Sequence, residues 1–338
     1  MDTSIRREGL ISPKPDTMTP KPADRDGIHS SLQALKDRMG TIIRGKSDVL
    51  DSVLICLLGG GHILLEDLPG MGKTTLAYAL ARALSGSFQR IQFTSDLLPA
   101  DVLGVSVFNE KVRDFEFKPG PVFANIILAD EINRTTPKTQ SALLEVMDRG
   151  RISIDGETHL VGQPFMVFAT QNPVDFEGTF PLPDSQMDRF FMRLEMGYPS
   201  YQDEMKVLEA GFRHYDQIAD DPIVDLESVL LWQSMVAGIF VEESVLDYIL
   251  KLVVATRSES TFQAGLSPRG ALSLKAAAQA RALYLGREFV LPEDVEKMLL
   301  PVCAHRLKST PHGSNPMEER RRVEGVLRHI LETVPLPR

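Results

Sequence analysis

Two cysteines in 338 residues, Cys56 and Cys303, fit neither a disulfide framework nor the close spacing of a metal or redox motif. Both stand in apolar surroundings and are expected to be inert core residues of a reducing compartment. The seven histidines show no paired ligand spacing. No apolar run approaches the roughly eighteen residues that a membrane-spanning helix needs. The N-terminal stretch lacks the apolar centre of a secretory signal and carries Pro13, Pro15, Pro20 and Pro22, so residues 1–27 read as a disordered tail. A cytoplasmic location is therefore expected. Basic charge is scarce as well: the formal net charge of −9 counts against a nucleic-acid footprint.

What is present is an ordinary soluble composition, 43% apolar and 25% charged, enough for a sizeable core. Within it stands the run EDLPGMGKTT, Glu66 to Thr75, directly after the apolar segment His62 to Leu65. A glycine-rich turn between strand and helix aims backbone N–H groups at phosphates, and the helix N-terminus adds its dipole. Gly70, Met71, Gly72, Lys73, Thr74 and Thr75 form the candidate cradle for ATP. Lys73 can reach the β- and γ-phosphates, and the Thr74 hydroxyl can coordinate Mg²⁺. A second run, IILADE, ends in Asp130, which would hold the magnesium shell from the other side, and in Glu131, suited to orient and activate the attacking water. One position departs from the usual pattern. Asp67 stands where a P-loop opens with glycine, and its side chain is expected to face outward, away from phosphate.

Five apolar strand candidates, His62–Glu66, Arg90–Thr94, Asn125–Ala129, Phe165–Thr170 and Phe190–Met196, are mostly separated by helical stretches, of which Thr74–Leu84 and Lys138–Asp148 are the clearest. Continuous apolar strands alternating with helices predict a parallel sheet covered on both faces, with ligands at the carboxyl ends of the strands. Before them, His29–Met39 and a stretch from Ser47 to Leu58 read as helices, joined by a short extended loop, Thr41–Gly45. After about Tyr198 the periodicity is helical throughout: Tyr201–Tyr215, Glu242–Arg257, Pro268–Leu285 and Pro292–Arg306. The expected division is a tail (1–27), an α/β nucleotide-binding core (28–197), a helical lid (198–310) and a C-terminal tail (311–338). The run Glu318 to Arg322 reads as a solvated helix face.

The ordered series PGMGKT, FTSDLLPADVLG, FKPGPVFANIILADEINRTTPKTQSALLEVMDRGRISIDG, FATQNP, LPDSQMDRF and SPRG resembles the AAA+ ATPases, and within them the MoxR group of the helix-2-insert class. The resemblance covers about Leu32 to Leu307. It implies a P-loop AAA+ core with a five-stranded parallel sheet flanked by helices, followed by an all-α lid. It also implies residue roles: Asn172 matches sensor 1, able to bond the γ-phosphate and the water without adding charge. Arg189 matches the arginine finger that enters a neighbouring subunit's site, while Arg193, mid-strand, has less reach. Arg269, in SPRG, matches sensor 2, through which the lid would feel the γ-phosphate. Ile42, Ile43 and Gly45 resemble the loop that packs on adenine, although core packing produces the same pattern.

The same likeness makes Asp101 to Lys118 the insert within helix 2. Arg149 to Leu160, with Asp155-Gly156 between alternating apolar residues, reads as a β-hairpin. Both elements would project toward the centre of a ring. Their charges are mixed, which suits protein better than phosphate backbone. The resulting expectation is a Mg²⁺-dependent ATPase in a homo-oligomeric, hexameric ring that remodels a client or inserts metal into it, with a von Willebrand factor A-domain protein as the first partner. Alternatives are a magnesium-chelatase-like motor subunit and a nucleotide-gated scaffold with little turnover. A nucleic-acid translocase or a metabolic kinase fits less well, since basic pore loops and an acceptor domain are both missing from the pattern.

Overall fold

The computed structural model describes residues 25–68, 70–172, 179–211, 222–310 and 316–337, so the proline-rich tail lies outside the described residues up to residue 24. Two helices come first, α1 (Arg25–Ile42) and α2 (Ser47–Leu58). The expected loop from Thr41 is shorter than read, because α1 runs on through Ile42. The glycine turn joins β1 (Ile63–Glu66) to α3 (Lys73–Ala83). There follow β2 (Phe88–Gln92), a short α4 (Pro99–Leu103) and a hairpin of β3 (Gly104–Asn109) and β4 (Asp114–Pro119). Next come β5 (Ile126–Asp130), α5 (Pro137–Arg149) and a second hairpin, β6 (Arg151–Ile154) with β7 (Glu157–Leu160). The core closes with β8 (Met166–Gln171), α6 (Asp184–Met187) and β9 (Met192–Leu194).

Five strands form one parallel sheet in the order β2-β5-β8-β1-β9. Alternation along β1 serves two cores: Ile63 and Leu65 pack with α1, α2 and α3, whereas Leu64 faces the core that holds Leu143 and Leu144 of α5. The central strands β5 and β8 are buried on both faces, which is why they read as continuous apolar runs. The register matters for function. Glu66 lies beside Gln171 and Gln92 beside Asp130, so the carboxyl ends of four strands share one edge.

The rest is helical: α7 (Tyr201–Ala210), α8 (Leu226–Val236), α9 (Glu243–Ser258), α10 (Pro268–Tyr284), α11 (Pro292–Cys303) and α12 (Pro316–Thr333). Ser267 caps α10 by accepting from the Gly270 N–H at 3.1 Å, and the Pro after it suits a first helical turn. Residues 316–333, expected to be tail, form α12 instead, and its Val323, Leu327 and Ile330 are buried. Their i, i+4, i+7 spacing is a helical apolar face hidden in a segment that is otherwise strongly charged. Cys56 and Cys303 are free and buried, and burial raises both thiol pKa values. Among the described residues no helix is long and apolar enough to cross a membrane.

Candidate active site

The phosphate loop owes its shape to two glycines at positive φ, Gly70 at 83° and Gly72 at 84°, conformations that residues with a Cβ rarely adopt. Gly72 immediately precedes α3, so the first free N–H groups of that helix open onto the loop. Lys73 donates to the Asp67 carbonyl at 2.8 Å. Burial lowers its pKa, and the carboxylates of Asp67, Asp130 and Glu131 act in the opposite direction. One ammonium thus feels all three acids. Thr74 is exposed on the first turn of α3, while Thr75 is buried behind it.

Asp67 does not face outward. It is 6% exposed, and its Oδ2 accepts the Met196 N–H (a very short bond) and the Gly197 N–H at 3.1 Å. The carboxylate is turned away from the loop, as an acid beside phosphate must be, but into backbone rather than into water.

Asp130 and Glu131 end β5 and are held from several sides. The Thr170 hydroxyl donates to Asp130 Oδ1 at 2.7 Å and accepts the Glu131 N–H at 2.8 Å, so one side chain of β8 fixes both acids. Arg90 of β2 bonds Asp130 Oδ2 at 2.6 Å. Glu131 sits at φ 57°, a left-handed conformation costing about 1 kcal/mol outside glycine. Its Oε2 accepts from Gln92 at 2.8 Å and lies 3.3 Å from Arg134 Nε. Asn172 follows the last residue of β8 on the same edge. Sequence reading missed Arg90, Gln92, Thr170 and Arg134. The link of Arg90, Gln92 and Thr170 to the acids depends on β2 and β8 lying beside β5, which no local pattern in the sequence gives.

The donor set fits Mg²⁺. Thr74 and Asp130 offer hard oxygens, Asp130 Oδ1 keeps a second lone pair beside its bond from Thr170, and magnesium takes few protein ligands when phosphate and water supply the others. Among the described residues no cluster of three or more His, Cys, Asp or Glu suited to a metal occurs.

Arg189 and Arg269 lie elsewhere. Arg189 Nη1 is 3.1 Å from Asp148 Oδ2, and Arg269 Nη2 is 2.9 Å from Asp148 Oδ1. Arg269 also lies 3.7 Å from Asp188, which Arg306 binds at 2.6 Å. Asp148 follows Met147, whose carbonyl accepts from His62 Nε2 at 3.1 Å, and His62 precedes β1. This is the amino edge of the sheet. At about 3.3 Å per residue, His62 and Asp67 are about 16 Å apart, farther than an arginine side chain reaches. Strand direction therefore puts Arg269 beside Arg189, on the opposite edge of the sheet from the phosphate loop of its own chain.

Ile43 is buried within the core of α1, α2 and α3 and offers little surface to a base. Gly45, at φ 69°, lies against α7, where a Cβ would run into the Asp203 carboxylate. Arg193 is buried in β9 between Glu66, 3.5 Å away, and Glu324 of α12, 3.6 Å away, with no path to a neighbour's site.

Residues 62–192 match the family model "ATPase family associated with various cellular activities", and residues 254–329 match the AAA lid domain, which takes in most of α12. An uncharacterized protein of Bacillus subtilis, YeaC, is 42% identical over 93% of this chain and 98% of its own length. Chaperone MoxR1 of Mycobacterium tuberculosis is 37% identical over 94% of this chain and 86% of its own. The crystal structure of a candidate ATPase from Cytophaga hutchinsonii superposes with a TM-score of 0.83 at 34% identity, covering 93% of this chain and 97% of that one.

Proposed function

The chain belongs to the MoxR family of AAA+ ATPases, and from that premise we propose that it hydrolyses ATP with Mg²⁺ at sites completed between neighbouring copies in a ring, in order to remodel a client protein. The separation of Arg189 and Arg269 from this chain's own phosphate loop carries the reading. Two guanidinium groups gathered on Asp148 outnumber the carboxylate they share, and a neighbour's triphosphate would supply the further anion.

Within one site, Lys73 and the N-terminus of α3 bind and orient the phosphates. The Thr74 hydroxyl and Asp130 would hold magnesium, which would supply charge neutralisation to the phosphates. Glu131 accepts a proton from the attacking water through Oε1 or Oε2, once Gln92 and Arg134 release or share the carboxylate they now hold. Asn172 orients that water, and Arg189 with Arg269 of the next copy stabilises charge on the departing phosphates. A trans arginine of this kind contributes roughly 10³–10⁵ in rate.

A polypeptide client is supported by the two hairpins. Phe117 of β4 stacks on His159 of β7 at 4.1 Å, so they form one surface. That surface exposes Val107, Phe108, Val112, Phe115 and Leu160, with Phe115 69% and Leu160 74% accessible. Clustered apolar exposure of this sort suits protein contact better than phosphate backbone. A von Willebrand factor A-domain protein is the first client to test by co-purification, metal insertion is one outcome of such remodelling, and the ring is taken to be hexameric and cytoplasmic.

Specific ATPase activity measured against protein concentration tests the shared site. Activity per subunit should rise with concentration, and Arg189→Ala mixed with Glu131→Gln should recover turnover at interfaces that join an intact finger to an intact acid. Absence of recovery at every ratio would count against completion between subunits.

A further inference from the structure

With Arg269 at the amino edge, the question is what joins the nucleotide of one chain to its own lid. We propose that this coupling runs through the two carboxylates at the head of the phosphate loop: Asp67 acting on the joint between β9 and α7, and Glu66 acting through Arg193 on α12. The inference rests on the nucleotide reading above and deepens it.

Asp67 is in contact with both partners of such a linkage. Its carbonyl holds the Lys73 ammonium at 2.8 Å, so phosphate binding, which recruits that ammonium, changes the load on Asp67 directly. Its side chain holds the backbone N–H groups of Met196 and Gly197, where the chain turns at φ 59° after β9. Tyr198, next in sequence, accepts from Lys46 at 2.6 Å through its carbonyl, and the Asp203 carboxylate of α7 lies against Gly45. The joint is therefore clamped between the phosphate loop and the α1–α2 turn. Glycine, the usual occupant of position 67, has no side chain to make this clamp.

Glu66 makes the second link. Its Oε2 is 3.5 Å from Arg193 Nη1 and 3.9 Å from Arg320 Nη1. Arg320 bonds Glu195 and Glu324, each at 2.9 Å, and Glu324 Oε1 is 3.6 Å from Arg193 Nη2. Three acids and two arginines thus connect the last residue of β1 to α12. A buried charge such as Arg193 gains little net stability from its partners after desolvation, so ion pairing alone does not account for it. Arg193 is 9% exposed, and its Nη2 finds no hydrogen-bond acceptor among the described residues. A small approach of α12 would supply one from Glu324. That approach would give the network a second arrangement, which is what a two-state linkage requires. This also accounts for Arg320, read from sequence as a solvated residue and found largely buried.

Hydrogen exchange on the full chain tests the proposal, with a non-hydrolysable ATP analogue and Mg²⁺ at saturation. In the wild type, exchange should slow in the phosphate loop and also in residues 194–201 and 320–330. Asp67→Gly should lose the response at 194–201 while still protecting the phosphate loop. Asp67→Asn, whose amide oxygen can accept both N–H groups, should keep it. Glu66→Gln should lose the response at 320–330 alone. Wild-type protein that binds the analogue and protects the phosphate loop, with both distant segments unchanged, overturns the coupling, and this arm stands whether or not a variant folds. Asp67→Gly or Glu66→Gln protein that responds as wild type, or Asp67→Asn protein that loses the response at 194–201, overturns the residue assignment. Wild-type protein that does not protect the phosphate loop overturns the nucleotide reading instead.

Discussion

Acid should destabilise this protein through His62 in a way that one substitution can isolate. The ring is 6% exposed, its Nδ1 accepts the Val167 N–H at 3.1 Å, and its Nε2 faces the Met147 carbonyl at 3.1 Å. Those partners fit only the neutral ring, because a protonated Nδ1 cannot accept. Burial lowers the pKa from 6.5 to about 4, with the Met147 carbonyl and Asp148 resisting the shift. The sign follows. Above about 6.5 both folded and unfolded states hold a neutral ring, and His62 makes no pH-dependent contribution. As pH falls from there, the unfolded state takes up a proton that the native state refuses until about 4, so stability declines across that window. The full loss is on the order of 3 kcal/mol, of which about 2 should be gone by pH 5. Urea unfolding at pH 7.5 and pH 5 measures it for wild type and for His62→Gln. The variant starts lower, since the Val167 N–H is orphaned, but its decline between the two pH values should be smaller by about 2 kcal/mol. His305, whose pKa burial also lowers, is present in both proteins and cancels in that comparison. Equal declines would refute the reasoning.

Lys73→Ala should weaken ATP binding by about 100-fold or more, read by titration with a fluorescent analogue, since a charged donor to two phosphates is removed. Thr170→Val keeps the shape of β8 but frees both acids, and should lower the ATPase kcat by about 10- to 100-fold with less effect on nucleotide affinity. In the lid, Asp294 is fully buried between Arg281 and Arg287, the latter bonding it at 2.6 and 2.7 Å. Asp294→Ala strands two guanidinium groups and should cost about 3–5 kcal/mol in a denaturation measurement, whereas an unchanged midpoint would show that water replaces the carboxylate.

Much of the core was legible because its signals are local. Continuous apolar runs marked all five strands of the sheet to within a few residues, and the glycines of the phosphate loop together with the DE pair at the end of β5 marked the chemistry. Asp155-Gly156, at φ 51° and 86°, marked the β6–β7 hairpin. What escaped were side chains whose importance depends on register. Gln92 matters because β2 sets it opposite Asp130, and Thr170 because β8 brings its hydroxyl to both acids. Neither pairing exists until the strand order is known. The apolar face of α12 was masked by the run of charges at Glu318 to Arg322, of which Arg320 turns to Glu66, Glu195 and Glu324 rather than to water.

The placement of Arg269 has a more general cause. A motif identifies what an arginine can do, whereas the direction of the nearest strand decides for whom it does it. Ser267-Pro268-Arg269 caps α10 as expected, with the guanidinium at the start of the helix paired with Asp148. But α10 begins at the amino edge of a parallel sheet whose phosphate loop, by the geometry of strand–turn–helix, must lie at the carboxyl edge. A residue placed there cannot report on its own nucleotide, however well its sequence matches. On the two proposals above, the lid of each chain would respond to two different nucleotides by two separate routes: to a neighbour's through Arg189, Arg269 and Asp148, and to its own through Glu66 and Asp67. Substitutions at Asp148 should then alter turnover without altering the nucleotide-dependent protection of α12, whereas substitutions at Glu66 should do the reverse. A single route serving both would make the two sets of variants indistinguishable.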